Sequence, residues 1–189
     1  KGLDRISSGL SKISQVTAPL SLGLGALFTK ATTTAIDFEE AVAEVGAISG
    51  VAGDDLERLS EKARQIGSDT QLSASEGAEA LKLLAQAGYD VDKSITTVDS
   101  TVNLSIATNM ELAEATSILT SVMAAFGYEA SQATHVTDVL TKAASSSNTD
   151  VSELGEAFKA VAPTAAALGY SVDDTAIILG QMANQAIAG

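Results

Sequence analysis

Asp90, Asp92 and Ser94 come closest to a metal site, because their spacing matches the first three ligands of a calcium-binding loop. Such a loop also needs glycine at its sixth position and glutamate at its twelfth, and this sequence has Ile95 and Thr101 there. The segment lacks both the sharp turn and the bidentate carboxylate that calcium requires. We therefore predict no metal site.

Few other residues could take part in catalysis. The chain has one histidine, His135, and no cysteine, so thiolate chemistry, a zinc–thiolate site and a disulfide are excluded. Acidic pairs occur at residues 39–40, 54–55 and 173–174, but neighbouring residues on a helix do not face a common cleft. The sequence also lacks a glycine-rich loop ending in Gly-Lys-Ser or Gly-Lys-Thr that would hold a phosphate. These observations predict no catalytic residue, no cofactor and no enzymatic activity.

The charge balance limits the partners. The 189 residues include 24 Asp and Glu against 11 Lys and Arg, which gives a net charge of −13 at pH 7. A protein that holds nucleic acid through its phosphates needs clustered Lys and Arg, so we predict no specific nucleic-acid binding. Two prolines, no tryptophan and abundant alanine favour an all-α fold over a β-sandwich or barrel.

A Gly-Tyr pair recurs at intervals of 39 and 42 residues, and repetition on that scale indicates a repeated supersecondary unit. The three pairs are Gly88-Tyr89, Gly127-Tyr128 and Gly169-Tyr170. Helical patterns precede the pairs at residues 74–87, 111–126 and 151–168, and others follow them at 92–107, 131–145 and 172–187. Glycine after a helix adopts the left-handed conformation, and the next residue packs on the last helical turn. We therefore predict that these six residues form the structural corners of three helical hairpins.

Short polar residues mark the predicted helix ends. N-cap partners are predicted for Ser73 with Glu76, Asp150 with Glu153 and Ser171 with Asp174, while Asn109 and Asn148 lie in the turns between repeats. A further helix begins at Asp54, where acidic residues favour its positive end. We expect it to reach about Ile66 and to end at Gly67, before a polar connector over residues 68–72.

The first stretch of the chain, from Leu3 to Ile48, has a different period. Steps of three and four residues meet mostly apolar side chains, which is the pattern of a coiled-coil seam. The predicted oligomer seam comprises Leu3, Ile6, Leu10, Ile13, Leu20, Leu24 and Leu27. The alternative is two amphipathic helices, broken near Pro19, that bury the same stripe within one chain.

We therefore divide the chain into a helical arm, a candidate coiled coil, over residues 1–50 and a helical-hairpin domain over residues 51–189. We expect this domain to continue beyond residue 189. Apolar residues at both seam positions, with isoleucine in the second, favour more than two strands in the oligomer.

Several segments, in order, resemble the core region of phage tail tape measure proteins. They are DFEEAVAEVG at 37–46, TQLSASEGAEAL at 70–81, AQAGY at 85–89, VAPTAAALGYSVDDTA at 161–176 and GQMANQ at 180–185. Together they extend the resemblance over roughly residues 29–189, which is most of the chain.

The resemblance implies a non-enzymatic virion component that sets tail length, helps tail assembly and leaves the tail before the genome is delivered. The implied partners are the tail tube and the tail tip or baseplate hub proteins, with host membrane contact during ejection. The implied location is the lumen of the tail tube near the tip. The symmetry of such tails, together with the seam, favours a homo-oligomer of three copies. The alternating corners are similar to the compact part of the family rather than to its extended ruler.

One alternative from a different class is a free-standing helical-repeat adaptor that binds a peptide or protein in a concave groove. A long, uniformly polar concave face would favour the adaptor, whereas an apolar seam that needs an oligomer would favour the tail component.

Overall fold

The computed structural model describes residues 37–147 and 151–186, and within them every regular element is helical. This confirms the all-α prediction. The chain divides into two compact units, residues 1–39 and 40–189. Of the first unit only residues 37–39 are described, and they are helical.

The described residues contain eight α-helices. They are α1 (37–49), α2 (Asp54–Asp69), α3 (Ala74–Gln86), α4 (Val91–Thr108), α5 (Leu112–Phe126), α6 (Ala133–Ser145), α7 (Val151–Ala167) and α8 (Val172–Ala186). A short 3₁₀ turn, Ala130–Gln132, leads into α6. The ends of the six helices predicted around the Gly-Tyr pairs agree with the structure within the one or two residues by which helix ends are ordinarily uncertain.

Side-chain caps start several of these helices as predicted. Ser73 Oγ accepts the Glu76 N–H at 3.2 Å, while a Glu76 carboxylate oxygen accepts the Ser73 N–H at 2.7 Å. This reciprocal capping box satisfies two backbone donors that a helix start otherwise leaves unpaired. Asn109 ends α4 with a left-handed φ of 53°. The predicted cap Asp150 and the turn residue Asn148 lie outside the described residues.

The hairpins stack in two layers. In one layer α3 packs on α5 and α5 on α7, and in the other α4 packs on α6 and α6 on α8. Each hairpin's principal contacts are thus with the hairpins next to it, as in a helical solenoid. A large apolar cluster runs through the last three hairpins, with Leu119, Met123, Leu140 and Phe158 almost fully buried.

The structure contains a fourth hairpin that the sequence analysis missed. Helix α1 packs on α2 where Gly46 lies against Leu56, with a side-chain methyl group 3.2 Å from the position of an added Cβ. Lys82 of α3 forms an ion pair with Glu44 of α1 at 2.9 Å. Gly50 turns the chain with φ +69°, but Val51 follows it in place of tyrosine. Residues 40–49 of the predicted arm are grouped with the second unit.

The predicted end of α2 at Gly67 is wrong, because the helix continues to Asp69. Gly67 serves close packing instead: a Cβ there would lie only 2.7 Å from the Ala74 backbone nitrogen. The helix ends at Thr70, whose N–H and hydroxyl both donate to the Ile66 carbonyl oxygen, at 3.1 and 2.7 Å. A helical glycine at a tight crossing looks the same in sequence as a glycine that ends a helix.

Candidate partner-binding surfaces

The three Gly-Tyr pairs adopt one backbone geometry. Gly88, Gly127 and Gly169 follow α3, α5 and α7 with φ of +87°, +68° and +84°. At each site the tyrosine N–H donates five residues back and the glycine N–H three residues back, as in a Schellman motif. The tyrosine bonds run from Tyr89 to Leu84, from Tyr128 to Met123 and from Tyr170 to Ala165, at 3.1, 2.8 and 3.0 Å.

The three tyrosine side chains have different surroundings. The Tyr89 hydroxyl lies 3.8 Å from Met123 Sδ in the next hairpin, and burial, followed by the negative charge of Glu129, raises the pKa of Tyr89. The Tyr128 ring lies 6.0 Å from the Phe126 ring. Tyr170, in the last hairpin, is 48% exposed. The first two tyrosines therefore contribute to packing, while the third faces solvent.

The calcium-like segment is taken up by the contacts of the fold. Asp90 caps α4 by accepting the Lys93 N–H at 2.9 Å, Asp92 bonds Arg58 of α2 at 2.5 Å, and Ser94 is buried. Within the described residues, no group of three or more His, Asp or Glu side chains could hold a metal ion.

Polar contacts join successive hairpins along the α2, α4, α6 and α8 layer. Lys62 of α2 pairs with Asp99 of α4 at 2.7 Å. The Ser100 and Thr134 hydroxyls lie 3.2 Å apart between α4 and α6. His135 of α6 then bonds Asp173 of α8 at 2.9 Å. The only histidine of the sequence thus bridges two repeats at the surface, which is a structural role.

The adjacent carboxylates have separate partners. While Asp173 bonds His135, Asp174 accepts hydrogen bonds from the Ser171 hydroxyl at 2.6 Å and the Ser171 N–H at 3.1 Å. The hydroxyl bond, followed by the backbone bond, lowers the pKa of Asp174. Asp174 therefore works as the N3 partner of the Ser171 cap.

A groove of about 350 Å³ lies between α6 and α8. Its lining is mainly apolar, with Val139, Ala176 and Ile177, and Lys142 and Asp173 add one charge of each sign. The sequence analysis did not find this groove, because two helices far apart in sequence form it and no short motif marks it.

The last hairpin carries most of the large apolar side chains that are exposed among the described residues. Among the described residues, eight large apolar side chains are exposed, and six of them belong to residues 151–186. These six are Val161, Leu168, Tyr170, Ile177, Ile178 and Met182. Several exposed large apolar side chains within one hairpin make it the first place to look for an interaction site.

The predicted seam residues Leu3, Ile6, Leu10, Ile13, Leu20, Leu24 and Leu27 lie outside the described residues, as does Pro19. The coiled coil and the oligomer it would form stay predictions. Among the helices that the structure describes, none is long and apolar enough to cross a membrane.

Residues 60–189 match the profile of a protein family described as phage-related minor tail protein. The match begins within α2 and takes in all three hairpins that carry a Gly-Tyr corner. It therefore covers the regular part of the helical stack.

Curated relatives extend the similarity over most of the chain. A tape measure protein of Pneumococcus phage Dp-1 is 34% identical over 184 residues, which cover 96% of this chain and 16% of the relative. A probable tape measure protein of Escherichia phage P2 is 30% identical over 155 residues, covering 81% and 19%. A third, from Clostridium phage phiCD119, is 25% identical over 178 residues, covering 90% and 19%. The chain thus spans less than a fifth of the length of these relatives, and no solved structure matches it significantly.

Proposed function

We propose that this chain, which belongs to the family of phage-related minor tail proteins, forms the compact helical part of a tape measure protein in a phage or prophage tail. Its curated relatives are described as a tape measure protein and probable tape measure proteins. The observation that carries this proposal is the family match over residues 60–189, which coincides with the stacked hairpins. The whole protein would act in tail length determination, tail assembly and genome delivery.

The proposed role is structural rather than catalytic. Of the adjacent acidic residues, Asp174 works as a cap partner, Asp173 bonds His135, and Asp55 pairs with Arg58 at 3.3 Å. The family match also favours the tail component over the free-standing adaptor, because only the helical repeats support the adaptor hypothesis. The net charge of −13 suits a protein that must not bind the genome it helps to deliver.

The proposed partners are the tail tube and the proteins of the tail tip or baseplate hub, and the proposed site is the tube lumen near the tip. A compact stack of hairpins supports a place at an anchoring point over one along the full tube. The homo-oligomer, with three copies favoured, is supported by the heptad pattern of residues 3–27.

The tail role can be tested in a phage or prophage that encodes this chain. Disrupting the gene should abolish tails of uniform length in electron micrographs, and the unchanged gene supplied in trans should restore them. Val98→Asp should fail to restore tails, because Val98 is fully buried in α4 and a carboxylate there would lose its water. Asn103→Asp, at an exposed position of the same helix, is the matched control and should restore them. Uniform tails after gene disruption would contradict the proposal.

A duplication separates the compact role from that of an extended ruler. A second copy of residues 148–186 should lengthen the tail by no more than about 10 Å, one helix spacing, if the added hairpin joins the stack. The same residues in one continuous helix would add roughly 60 Å. A tail lengthened by the larger amount would show that this segment acts as part of the ruler.

The arm needs its own experiment. Light scattering on the chain with and without residues 1–36 tests the seam, because association should be lost with the arm. A monomer in both versions would remove the coiled-coil prediction.

A further inference from the structure

Val161 lies in α7 and Leu168 directly follows that helix, while Ile178 and Met182 lie four residues apart on one side of α8. Their exposed fractions are 40%, 70%, 44% and 61%. We call these four residues the terminal face. The earlier hairpins indicate what such a face normally contacts.

The second helices of the three Gly-Tyr hairpins can be aligned by counting from the residue that precedes each helical segment. These starting points are Asp90, Glu129 and Ser171. Seven residues after these starting points stand Thr97, Val136 and Ile178, one in each hairpin. Eleven residues after them stand Thr101, Leu140 and Met182. Both positions are fully buried in α4 and in α6, whereas in α8 they are 44% and 61% exposed.

The first helices show the same change when they are counted back from their corner glycines. Eight residues before Gly88 and Gly127 stand Ala80 and Leu119, and both are 0% exposed. Eight residues before Gly169 stands Val161, which is 40% exposed. In both layers, positions that are closed in the two preceding hairpins are open in the last one.

We propose that the terminal face is the docking surface for a fifth helical hairpin of the same repeat type, carried by the same polypeptide. The argument is the continuity of an existing interface. Helix α7 packs on α5 and α8 on α6, and the positions equivalent to Val161, Ile178 and Met182 are buried in the two preceding hairpins. The occupant is a pair of helices with small and apolar side chains on its inner side. The inference concerns the fold and does not rest on the proposed tail function.

A second copy of this chain stacked head to tail is a poor occupant. The first hairpin of such a copy would present α2, which exposes Glu57, Glu61 and Arg64. Placing them against an apolar face would take both the Glu57–Arg64 ion pair, which is 3.2 Å long, and the Glu61 carboxylate out of water, and this desolvation is costly. Repeat proteins instead cover each apolar face with another repeat or with a polar cap.

The oxidation of Met182 by hydrogen peroxide provides a test. The chain is extended by a second copy of residues 148–186 after residue 189, with leucine replacing the methionine of that copy so that Met182 can be followed alone by mass spectrometry. Because oxidation follows exposure, the added hairpin should slow the oxidation of Met182 by about tenfold or more. Met123, which is 0% exposed, is the internal reference and should react slowly in both versions.

Two controls keep the test decisive. The change Phe158→Asp within the added copy should restore fast oxidation, because that side chain is fully buried in the existing hairpin and its carboxylate analogue would prevent docking. Met182→Glu should leave the melting temperature of the unextended chain unchanged, since this side chain is 61% exposed. The same change should cancel any rise in melting temperature gained from the extension.

Equal oxidation of Met182 in both versions, with the added copy helical by circular dichroism, would overturn the proposal. Protection of Met182 in the unextended chain that grows with protein concentration would also overturn it, because a second copy would then be the occupant. A melting temperature lowered by Met182→Glu in the unextended monomer would show that the face is already covered, with the same consequence.

Discussion

Replacing Gly127 tests the corner geometry most directly, because backbone conformation and packing are separate at this site. Gly127 has φ 68° and ψ 32°, within the left-handed region, and a Cβ added there would meet no atom within 4 Å. A substitution therefore costs only the strain of the left-handed backbone. That strain depends on the side chain, since asparagine tolerates this conformation and β-branched residues resist it.

We expect destabilisation to increase from Gly127→Asn through Gly127→Ala to Gly127→Val. Alanine should cost about 1–2 kcal/mol in the left-handed conformation, and valine up to about 3 kcal/mol. Asparagine should cost least, as Asn109 already adopts φ 53° at the end of α4. For a chain of this size, each kcal/mol lowers the melting temperature by about 2–4 °C.

The assay is urea denaturation followed by circular dichroism, with thermal melts as a second measure. Ala124→Val is the control, because it places the same side chain at an exposed helical position three residues earlier, where valine costs less than about 1 kcal/mol. Equal effects of valine and asparagine at residue 127, or no effect of valine, would refute the reasoning that the backbone sets the cost.

Four further predictions concern packing, capping and charge. In the described residues, Thr97 Oγ1 is the one buried side-chain polar atom without a hydrogen-bond partner, so Thr97→Val should raise the free energy of unfolding by about 1 kcal/mol in urea titrations; a loss would contradict this. Gly155→Ala should destabilise by about 1–3 kcal/mol, because its Cβ would overlap Ile118 and lie 2.9 Å from Ile118 Cγ1; a double-mutant cycle with Ile118→Val should recover part of the loss. Ser171→Ala should return the pKa of Asp174 towards its ordinary value of 3.8, as measured in a carboxyl NMR titration. Because the pKa of Asp174 is lowered in the folded state, its carboxylate stabilises the fold above pH 3.8. This contribution is lost as the pH falls through the folded-state pKa. Gel shifts with duplex DNA at physiological salt should show no binding at micromolar protein, because the net charge is −13; salt-sensitive binding would contradict that prediction.

Local signals account for the parts of the fold that the sequence predicted. The capping box of Ser73 and Glu76 and the left-handed turn of Asn109 depend on neighbours a few residues away, which the sequence shows directly. The exposed end of the stack could not be read in this way. Val136 and Ile178 are both β-branched apolar residues on second helices. Val136 is buried on α6, which packs between α4 and α8, whereas Ile178 is 44% exposed on α8, and this difference in neighbours is not visible in either residue's local sequence.

The hairpin containing α1 and α2 was missed for a related reason. Its corner uses Gly50 followed by Val51, so a search for tyrosine passes over it, although the positive φ of the glycine is the same kind of turn. Gly67 was misread because a glycine also permits close helix contact, here with Ala74. In each case the physical requirement was for glycine, and the sequence alone did not show which of its properties the fold uses.

Stacking each hairpin mainly on its neighbours has a mechanical consequence. Force applied to the end of such an array acts on one interface at a time, so that the chain should lengthen in steps rather than in one cooperative event. Releasing residues 151–186 would lengthen the extended chain by roughly 120 Å, while the hairpins behind it keep their contacts. Tension on the stack should therefore unfold one hairpin after another, and each unfolded hairpin should lengthen the chain.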